Sequence, residues 1–259
     1  TTEIYTLSLH DALPISLGQM AAGVAHEINT PLGIILGYTQ LLLDDFSSDS
    51  ETYETLKTVE KHTRICKKIV ADLLRFSRNT QTDKKTINLN DVIEQVVAVV
   101  EHTFGLEHIT IECSLEEGLP PIFGDSEKLQ QVFMNLLNNA YDAIGSHGQV
   151  TLTTYYDTCR SEIVAKVSDS GCGIPPEIRS KIFDPFFTTK SVGRGTGLGL
   201  SVTFGIIRDH GGQIEVESRP EIQSPAEEKG AFQEPAPTGT TFTLRFPLFD
   251  PSNSLSRQV

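Results

Sequence analysis

The sequence has no excess of basic residues, no closely spaced cysteine pair and no long apolar run. Lysine and arginine number 21 against 34 aspartate and glutamate residues, which gives a formal net charge of -13. Nucleic-acid-binding surfaces are basic, so this balance argues against a nucleic-acid partner. The four cysteines form no CxxC pair, so neither a zinc site nor a disulfide framework is indicated. No apolar run approaches the roughly 18 residues of a membrane span, and we expect a soluble chain from a reducing cytosol.

The chain of 259 residues suffices for one large domain or two small ones. Its first 16 residues carry no helical or strand period that continues beyond them into the rest of the chain. Residues 5–15, YTLSLHDALPI, also read like the translation of a sequencing-adapter oligonucleotide. We therefore expect residues 1–16 to be a non-native leader.

Apolar residues from Leu17 to Leu73 follow the heptad spacing of packed helices. Two such series flank the polar sequence DDFSSDSE, which predicts an antiparallel helical hairpin over residues 17–78. Two helices cannot enclose a core, so we expect a homodimer in which two hairpins form a four-helix bundle. The alternative is a hairpin packed on its own neighbouring domain. The predicted seam consists of Leu17, Ala21, Val24, Ile28, Ile35 and Leu42, followed by Leu56, Val59, Thr63, Cys66, Val70 and Leu73.

The polar segment 79–86 is expected to be a linker, after which helices and strands alternate. This pattern predicts an α+β chain whose second domain spans residues 87–249, with a mobile insert at 219–238 and a tail at 250–259. The expected helices are Asn90–Thr103, Ser126–Ile144 and one from near Gly197 to Gly211. The expected strands are Ile109–Cys113, Val150–Tyr156, Glu162–Ser168, Gln213–Ser218 and Thr240–Pro247.

The first predicted helix carries His26 in the sequence HEINTPL. The histidine is two residues from each neighbouring seam position and so points about 160° away from both, into solvent. Thr30 shares that face, and Pro31 should bend the helix beside it. A neutral imidazole can attack phosphorus, with Glu27 orienting the ring or accepting its proton. An HExxH zinc site is excluded because position 30 is Thr. Taken alone, a solvent-facing histidine on a helix such as His26 is usually an ordinary surface residue.

Two motifs in the second domain suit a nucleotide. Asn135 and Asn139 lie one helical turn apart, where amide oxygens can coordinate Mg²⁺ or hold its waters. Alone, the pair also suits hydrogen bonding to a neighbouring strand. Asp169 follows a predicted strand and can accept the amino hydrogens of adenine, while Gly171 and Gly173 let the base approach the backbone. Such a sequence also suits a tight turn.

A third motif, GRGTGLGL at residues 193–200, leads directly into a predicted helix. Alternating glycines permit a mobile lid with free N–H groups, and a helix N-terminus adds partial positive charge for a polyphosphate. Lys190 and Arg194 supply full charges. The motif is neither a Walker P-loop nor a dinucleotide-binding turn. By itself it also fits a flexible linker.

The fixed order of these motifs resembles that of the sensor histidine kinases of two-component systems. HEINTPL is similar to their H box, NLLNNAYDA to the N box, DSGCGIP to G1, IFDPFF to the F box and GTGLGL to G2. The resemblance covers roughly Leu17 to Pro247. It implies a dimerisation and phosphoacceptor hairpin followed by an ATP-binding α/β sandwich, a mixed sheet packed on helices. Gyrase, MutL and the heat-shock chaperone of ninety kilodaltons share that sandwich.

The resemblance also implies roles for single residues. His26 would be phosphorylated from ATP and pass the phosphoryl group to an aspartate of a response-regulator receiver domain. Glu27 would act as base, and Thr30 would place water for dephosphorylating the regulator. Asp169 would read adenine, and Asn139 would bind Mg²⁺ with Asn135 beside it. The other expected nucleotide-binding residues are Gly171, Gly173, Ile174, Lys190, Arg194, Gly195, Thr196, Gly197, Leu198, Gly199 and Thr240.

Three alternatives stay open. The chain is compatible with a regulator phosphatase that makes little phosphohistidine. It is also compatible with an ATP-gated dimer scaffold, although the intact His26, Asn139 and glycine segment count against degeneracy. An ATPase of the MutL or chaperone class would need a downstream transducer domain, and little sequence follows Pro247. The expected location is the bacterial cytoplasm, with membrane anchoring of a longer parent protein left open.

Overall fold

The computed structural model describes residues 27–77, 84–191, 195–220 and 238–248. The expected leader, His26, Arg194, most of the insert and the tail lie outside these residues. The chain divides into two compact units, Thr1–Thr82 with Pro185–Leu198, and Asp83–Asp184 with Gly199–Val259. Within the described residues, no helix is both long enough and apolar enough to cross a membrane.

The first unit contains the expected helical hairpin. Helix α1 occupies residues 27–45, and helix α2 spans Glu51–Ser77. Ser50 caps α2, because its hydroxyl accepts the backbone N–H of Tyr53 at 3.2 Å. Acidic residues in the first turn, Glu51 and Glu54, favour the positive end of the helix dipole. The Gln40 amide donates to Glu60 Oε1 at 3.3 Å and so links the two helices.

The face of α1 that packs on α2 differs from the predicted seam. Ile28, Ile35 and Leu42 are 40%, 44% and 44% exposed, although the heptad places all three on the seam. The less exposed positions of α1 are Asn29, Leu32, Leu36, Thr39 and Leu43. Heptad counting finds an apolar stripe, but it does not distinguish a partner helix in the same chain from one in another chain.

The second unit is built on a five-stranded mixed sheet. The described strands of this unit, of which five form the large sheet, are β1 Lys85–Ile87, β2 Ile109–Leu115, β3 Ile122–Gly124, β4 Gly148–Asp157, β5 Glu162–Asp169, β6 Gln213–Arg219 and β7 Gly239–Pro247. The large sheet has the order β2-β4-β5-β7-β6, and β1 pairs separately with β3. Strands β2 and β4 are parallel, whereas the other neighbours are antiparallel. The expected fold class is confirmed.

Three α-helices cover one face of this sheet, namely α3 Leu89–Leu106, α4 Ser126–Ile144 and α5 Gly199–Asp209. A 3-10 helix spans Pro176–Lys181. The central helix α4 buries Leu129, Phe133 and Leu136 completely or nearly so. Alternate residues of the sheet face it, since side chains of a strand alternate between faces. Leu152, Ala165 and Leu244, for example, have no exposed surface.

Several boundaries differ from the expected ones. The sequence pattern does not predict strands β1 and β3 or the 3-10 helix, because three-residue strands carry no periodicity. Residues 85 and 86, expected in the linker, are the first two of β1. Arg219, expected in the insert, ends β6. Helix α5 begins at Gly199 rather than near Gly197, whose φ of +68° is not helical.

Candidate functional site

Helix α4 positions the two asparagines through local signals at its ends. Asp125 caps its N-terminus by accepting the N–H groups of Glu127 and Lys128 at 3.0 and 3.2 Å. Gly145, with φ of +73°, ends it. Asn135 and Asn139 are four positions apart and both half-buried, so they lie on the same face of the helix.

The amide of Asn135 is oriented by helix α5. Its Nδ2 donates to the carbonyl of Gly199 at 3.1 Å and contacts the hydroxyl of Thr203 at 3.4 Å. Both donor hydrogens thus point at α5, and Oδ1 is the end of the amide left to accept or coordinate. This contact also fixes the first residue of α5, which follows the glycine segment in the chain.

Asp169 ends strand β5 with one carboxylate oxygen committed to the backbone. Its Oδ1 accepts the N–H groups of Gly171 at 2.9 Å and of Thr240 at 3.2 Å. No described residue donates a hydrogen bond to Oδ2. Burial raises the pKa of this carboxyl, and the two backbone N–H groups oppose that shift. The side chain therefore presents one unmet acceptor at a defined position.

The turn after Asp169 is packed tightly against the rest of the unit. A Cβ at Gly171 would lie 2.7 Å from the backbone of Ala143 on α4. Gly173 has φ of +74°, and a Cβ there would collide with the backbone of Arg219 at the end of β6. The turn is further tied to α4, because Cys172 N–H donates to the Ala143 carbonyl at 3.1 Å. Because Gly171 and Gly173 have no side chain, the backbone of α4 and of the end of β6 can approach the turn closely.

Two residues that the motifs did not single out hold this turn. The Ser218 hydroxyl accepts the N–H of Ile174 at 2.7 Å, and Arg179 Nε donates to the carbonyl of Ile174 at 3.1 Å. Ser218 is 9% exposed and in phase with Ile214 and Val216 on β6. A polar residue at an inward position of a strand is the signal by which the sequence indicates Ser218. Nothing comparable marks Arg179.

The segment Pro185–Leu198 belongs to the first unit, and its described part folds back on itself. Lys190 N–H donates to the Thr188 hydroxyl at 3.2 Å, and a Cβ at Gly195 would lie 2.7 Å from that same hydroxyl. Gly197 has φ of +68°, and its backbone lies against Phe186. Leu198 is buried, at 2% exposed, whereas Thr196 is half-buried.

Of the three expected phosphoacceptor residues, Glu27 and Thr30 lie on α1 within the described chain. Both are exposed, and their spacing of three places them on the same face of the helix. His26 is outside the described residues. Among the residues that the structure describes, no group of three His, Cys, Asp or Glu side chains is placed to hold a metal.

Family models match both units of the chain. Residues 16–82 match the His Kinase A (phospho-acceptor) domain. Residues 124–250 match the histidine kinase-, DNA gyrase B- and HSP90-like ATPase. The second match contains the asparagines, Asp169 and Thr240.

Similar proteins carry the same description. The chain is 36% identical over 233 residues to the signal transduction histidine-protein kinase AtoS of Escherichia coli K12. The matched region covers 90% of this chain and 35% of AtoS. The chain thus spans about a third of the length of that relative. The nucleotide-free catalytic domain of histidine kinase ThkA is 31% identical, with a TM-score of 0.52, over 64% of this chain and 95% of that domain. ThkA in complex with response regulator protein TrrA is 28% identical with a TM-score of 0.63, over 96% of this chain and 68% of that one. The chain belongs to the histidine kinases of two-component systems, with a phospho-acceptor helical hairpin followed by an ATPase-type α/β domain.

Proposed function

We propose that the chain is the catalytic core of a sensor histidine kinase that phosphorylates its own His26 from ATP. The phosphoryl group then passes to an aspartate of a response-regulator receiver domain. The observation that carries the proposal is the carboxylate of Asp169. Its Oδ1 is held by two backbone N–H groups at 2.9 and 3.2 Å, and its Oδ2 receives no donor from the described residues. That arrangement suits the exocyclic amino group of adenine.

The phosphates and Mg²⁺ are assigned to residues around α5 and α4. Gly199 and Leu200 open α5, so their N–H groups have no helical acceptor and favour an anion. We assign the phosphates also to Lys190 and Arg194 and to the segment from Gly195 to Gly199. Asn139, with Asn135 beside it, is assigned to the metal, and Oδ1 of Asn135 is already oriented by α5. Bound Mg²⁺ would neutralise phosphate charge.

The phosphoacceptor step is assigned to the start of the hairpin. His26 is the proposed nucleophile, Glu27 orients the imidazole or accepts its proton, and the exposed Thr30 would place water for dephosphorylation of the regulator. The protein contributes mainly positioning and charge stabilisation in a phosphoryl transfer. A regulator phosphatase activity is part of this proposal.

The hairpin is also the proposed homodimer interface. Ile28, Ile35 and Leu42 form an exposed apolar stripe on α1, and burying it against a second copy would complete a four-helix bundle. We propose the domain bounds 17–78 for this hairpin and 87–249 for the ATP-binding domain, in a cytoplasmic, bacterial protein. ThkA was crystallised with a response regulator, which supports a receiver domain as the second partner.

The proposal is tested by incubating the purified protein with γ-labelled ATP and Mg²⁺. We expect protein-bound label that is lost in acid and stable in alkali, as a phosphoramidate requires. His26→Gln should abolish the label while ATP binding persists. Label that survives in His26→Gln, or wild-type protein that binds ATP yet never acquires label, would contradict the assignment of His26.

A further inference from the structure

Three side chains lie in a row across the sheet at the end that carries Asp169. Asp169 pairs with Thr240 of β7, and Thr240 pairs with Ser218 of β6. Directly paired residues point to the same face of a sheet, so the carboxylate and the two hydroxyls follow one another on one face. The Thr240 N–H donates to Asp169 Oδ1 at 3.2 Å, and the two hydroxyl oxygens are 3.0 Å apart.

The hydroxyl of Ser218 uses its whole hydrogen-bonding capacity in this row. It accepts the N–H of Ile174 at 2.7 Å and donates its single hydrogen to the carbonyl of Gly239 at 3.0 Å. The bond between the hydroxyls is therefore donated by Thr240. Ser218 and Thr240 are 9% and 4% exposed, so water is a poor substitute for these partners. One buried hydroxyl thus joins the turn after β5 to the first residues of β7.

Arg179 closes the same connection from the 3-10 helix. Its Nε donates to the carbonyl of Ile174 at 3.1 Å, and its Nη2 donates to the carbonyl of Ser218. Both backbone polar groups of Ile174 are consequently held by side chains from outside the turn. The planar guanidinium fixes the distance between the two carbonyls, which a flexible ammonium does less well.

We propose that Ser218 and Arg179 are positioning residues for recognition of the adenine amino group. They hold the turn 171–174 and the start of β7 together, and these two segments supply the N–H groups that fix Asp169 Oδ1. The inference rests on the proposed function, in which Asp169 Oδ2 accepts from adenine. Neither residue needs to touch the nucleotide, since each acts through Ile174, Thr240 and Asp169.

A positioning role has a consequence that general stabilisation lacks. If the carboxylate loses its fixed position, selectivity for the amino group at position 6 of the purine should fall. The affinity for the phosphates should change less. ITP is the matched probe, because it carries a carbonyl oxygen where ATP carries the amino group. The ratio of the ITP to the ATP dissociation constant therefore reports the placement of Asp169.

The experiment measures both dissociation constants by calorimetry with Mg²⁺, on the 259-residue protein and its variants. Ser218→Ala and Arg179→Gln should each lower the ITP-to-ATP ratio by about tenfold, the order expected for a weakened hydrogen bond to a charged group. Arg179→Lys, which keeps the charge and one donor, should lie between Arg179→Gln and the wild type.

The control is Ser168→Ala. The Ser168 and Thr241 hydroxyls are 2.9 Å apart. These two residues are the pair next to Asp169 and Thr240 on strands β5 and β7, and they lie on the opposite face of the sheet. This variant should keep the wild-type ratio, which would support the proposal together with the tenfold fall in the other two. The proposal is overturned if ATP and ITP weaken by the same factor, if nothing changes, or if Ser168→Ala matches Ser218→Ala. Wild-type protein that binds neither nucleotide would instead overturn the proposed function, and this inference with it.

Discussion

The hairpin and the α/β unit differ in how far the apolar side chains of their helices are buried. On α4 the inward residues Leu129, Phe133 and Leu136 are at most 1% exposed, whereas Ile28, Ile35 and Leu42 on α1 are 40% to 44% exposed. Both helices are amphipathic, so the difference lies in what covers them. The α/β unit supplies its own sheet as the second layer, while the hairpin leaves a stripe that only a further layer can cover. The α/β unit covers its apolar helix faces within a single chain, whereas for the hairpin we propose that a second copy covers the stripe.

The largest effect that sharpens this comparison is expected from the core of the α/β unit. Phe133 is fully buried on α4, so Phe133→Ala should lower the free energy of unfolding by about 3–5 kcal/mol through lost burial and the cavity left behind. Val99→Ala on α3 is the control, since Val99 is 68% exposed and should cost little. Chemical denaturation of both variants measures the difference. Equal costs would show that burial in α4 does not set the stability of this unit.

The next effect concerns the exposed stripe of the hairpin. Ile35→Lys would place a charge in the proposed dimer interface and should weaken self-association about 100-fold, because an unpaired buried charge costs several kcal/mol. The midpoint of unfolding of the α/β unit should not change. Analytical ultracentrifugation over a range of concentrations measures the association.

Thr55→Lys is the matched control for that variant. Thr55 is exposed on α2 and lies outside the predicted seam, so the same new charge should leave association unaltered. If Ile35→Lys associates as tightly as the wild type, the stripe is not the interface and the hairpin packs in another way.

A third variant separates the binding role of the α/β unit from its stability. In Asp169→Asn the amide oxygen can take the place of Oδ1 and accept from Gly171 and Thr240. The Nδ2 group then stands where Oδ2 was and presents donors to the donor group of adenine. ATP affinity should fall by about 30-fold or more.

The stability of Asp169→Asn is expected to move in the other direction. Burial raises the pKa of Asp169 in the folded state, so the folded protein binds this proton more tightly than the unfolded chain does. The charged form therefore costs stability as the pH rises above the unfolded pKa of about 3.9. A neutral amide removes that cost, and at pH 7 the melting temperature should be unchanged or slightly higher. A large drop in melting temperature together with lost binding would show that Asp169 stabilises the fold, and it would contradict a specific role in binding adenine.

What the sequence predicts well here depends on local signals. Helix α4 has the predicted bounds Ser126–Ile144 because Asp125 and Gly145 mark its ends within a few residues. Strands β1 and β3 are not predicted, because a three-residue strand has no pattern of its own and forms only by pairing with a strand that is distant in the sequence. The same limit applies to the site. Asp169 and Asn135 stand in recognisable motifs, but the role of Ser218 depends on the register of β6 with β7, which no local pattern specifies.

The smallest effect returns to the α/β unit and its dependence on pH. His210, 7% exposed, follows α5 and accepts the N–H of Asp125 on Nε2 at 2.9 Å, while Nδ1 lies 2.7 Å from the Ile206 carbonyl. The ring is thus neutral, with its hydrogen on Nδ1, and it ties the end of α5 to the cap of α4. Burial lowers the pKa of His210, and the charge of Lys84 lowers it further. The hydrogen bond to the Ile206 carbonyl and the carboxylates of Asp125 and Asp209 oppose that shift.

Because the folded state holds the His210 proton less tightly than the unfolded chain, stability is fully present above the unfolded pKa of about 6.5. It should decline as the pH falls below that value towards the folded pKa, with a slope of at most about 1.4 kcal/mol per pH unit for one proton. Denaturation of the wild type and of His210→Gln at pH 7.5 and 5.5 measures this slope. The variant should start less stable and lose less on acidification, because it lacks the titrating ring. Parallel losses in the two proteins would assign the acid sensitivity to other groups, and the link between α5 and α4 would then be indifferent to pH.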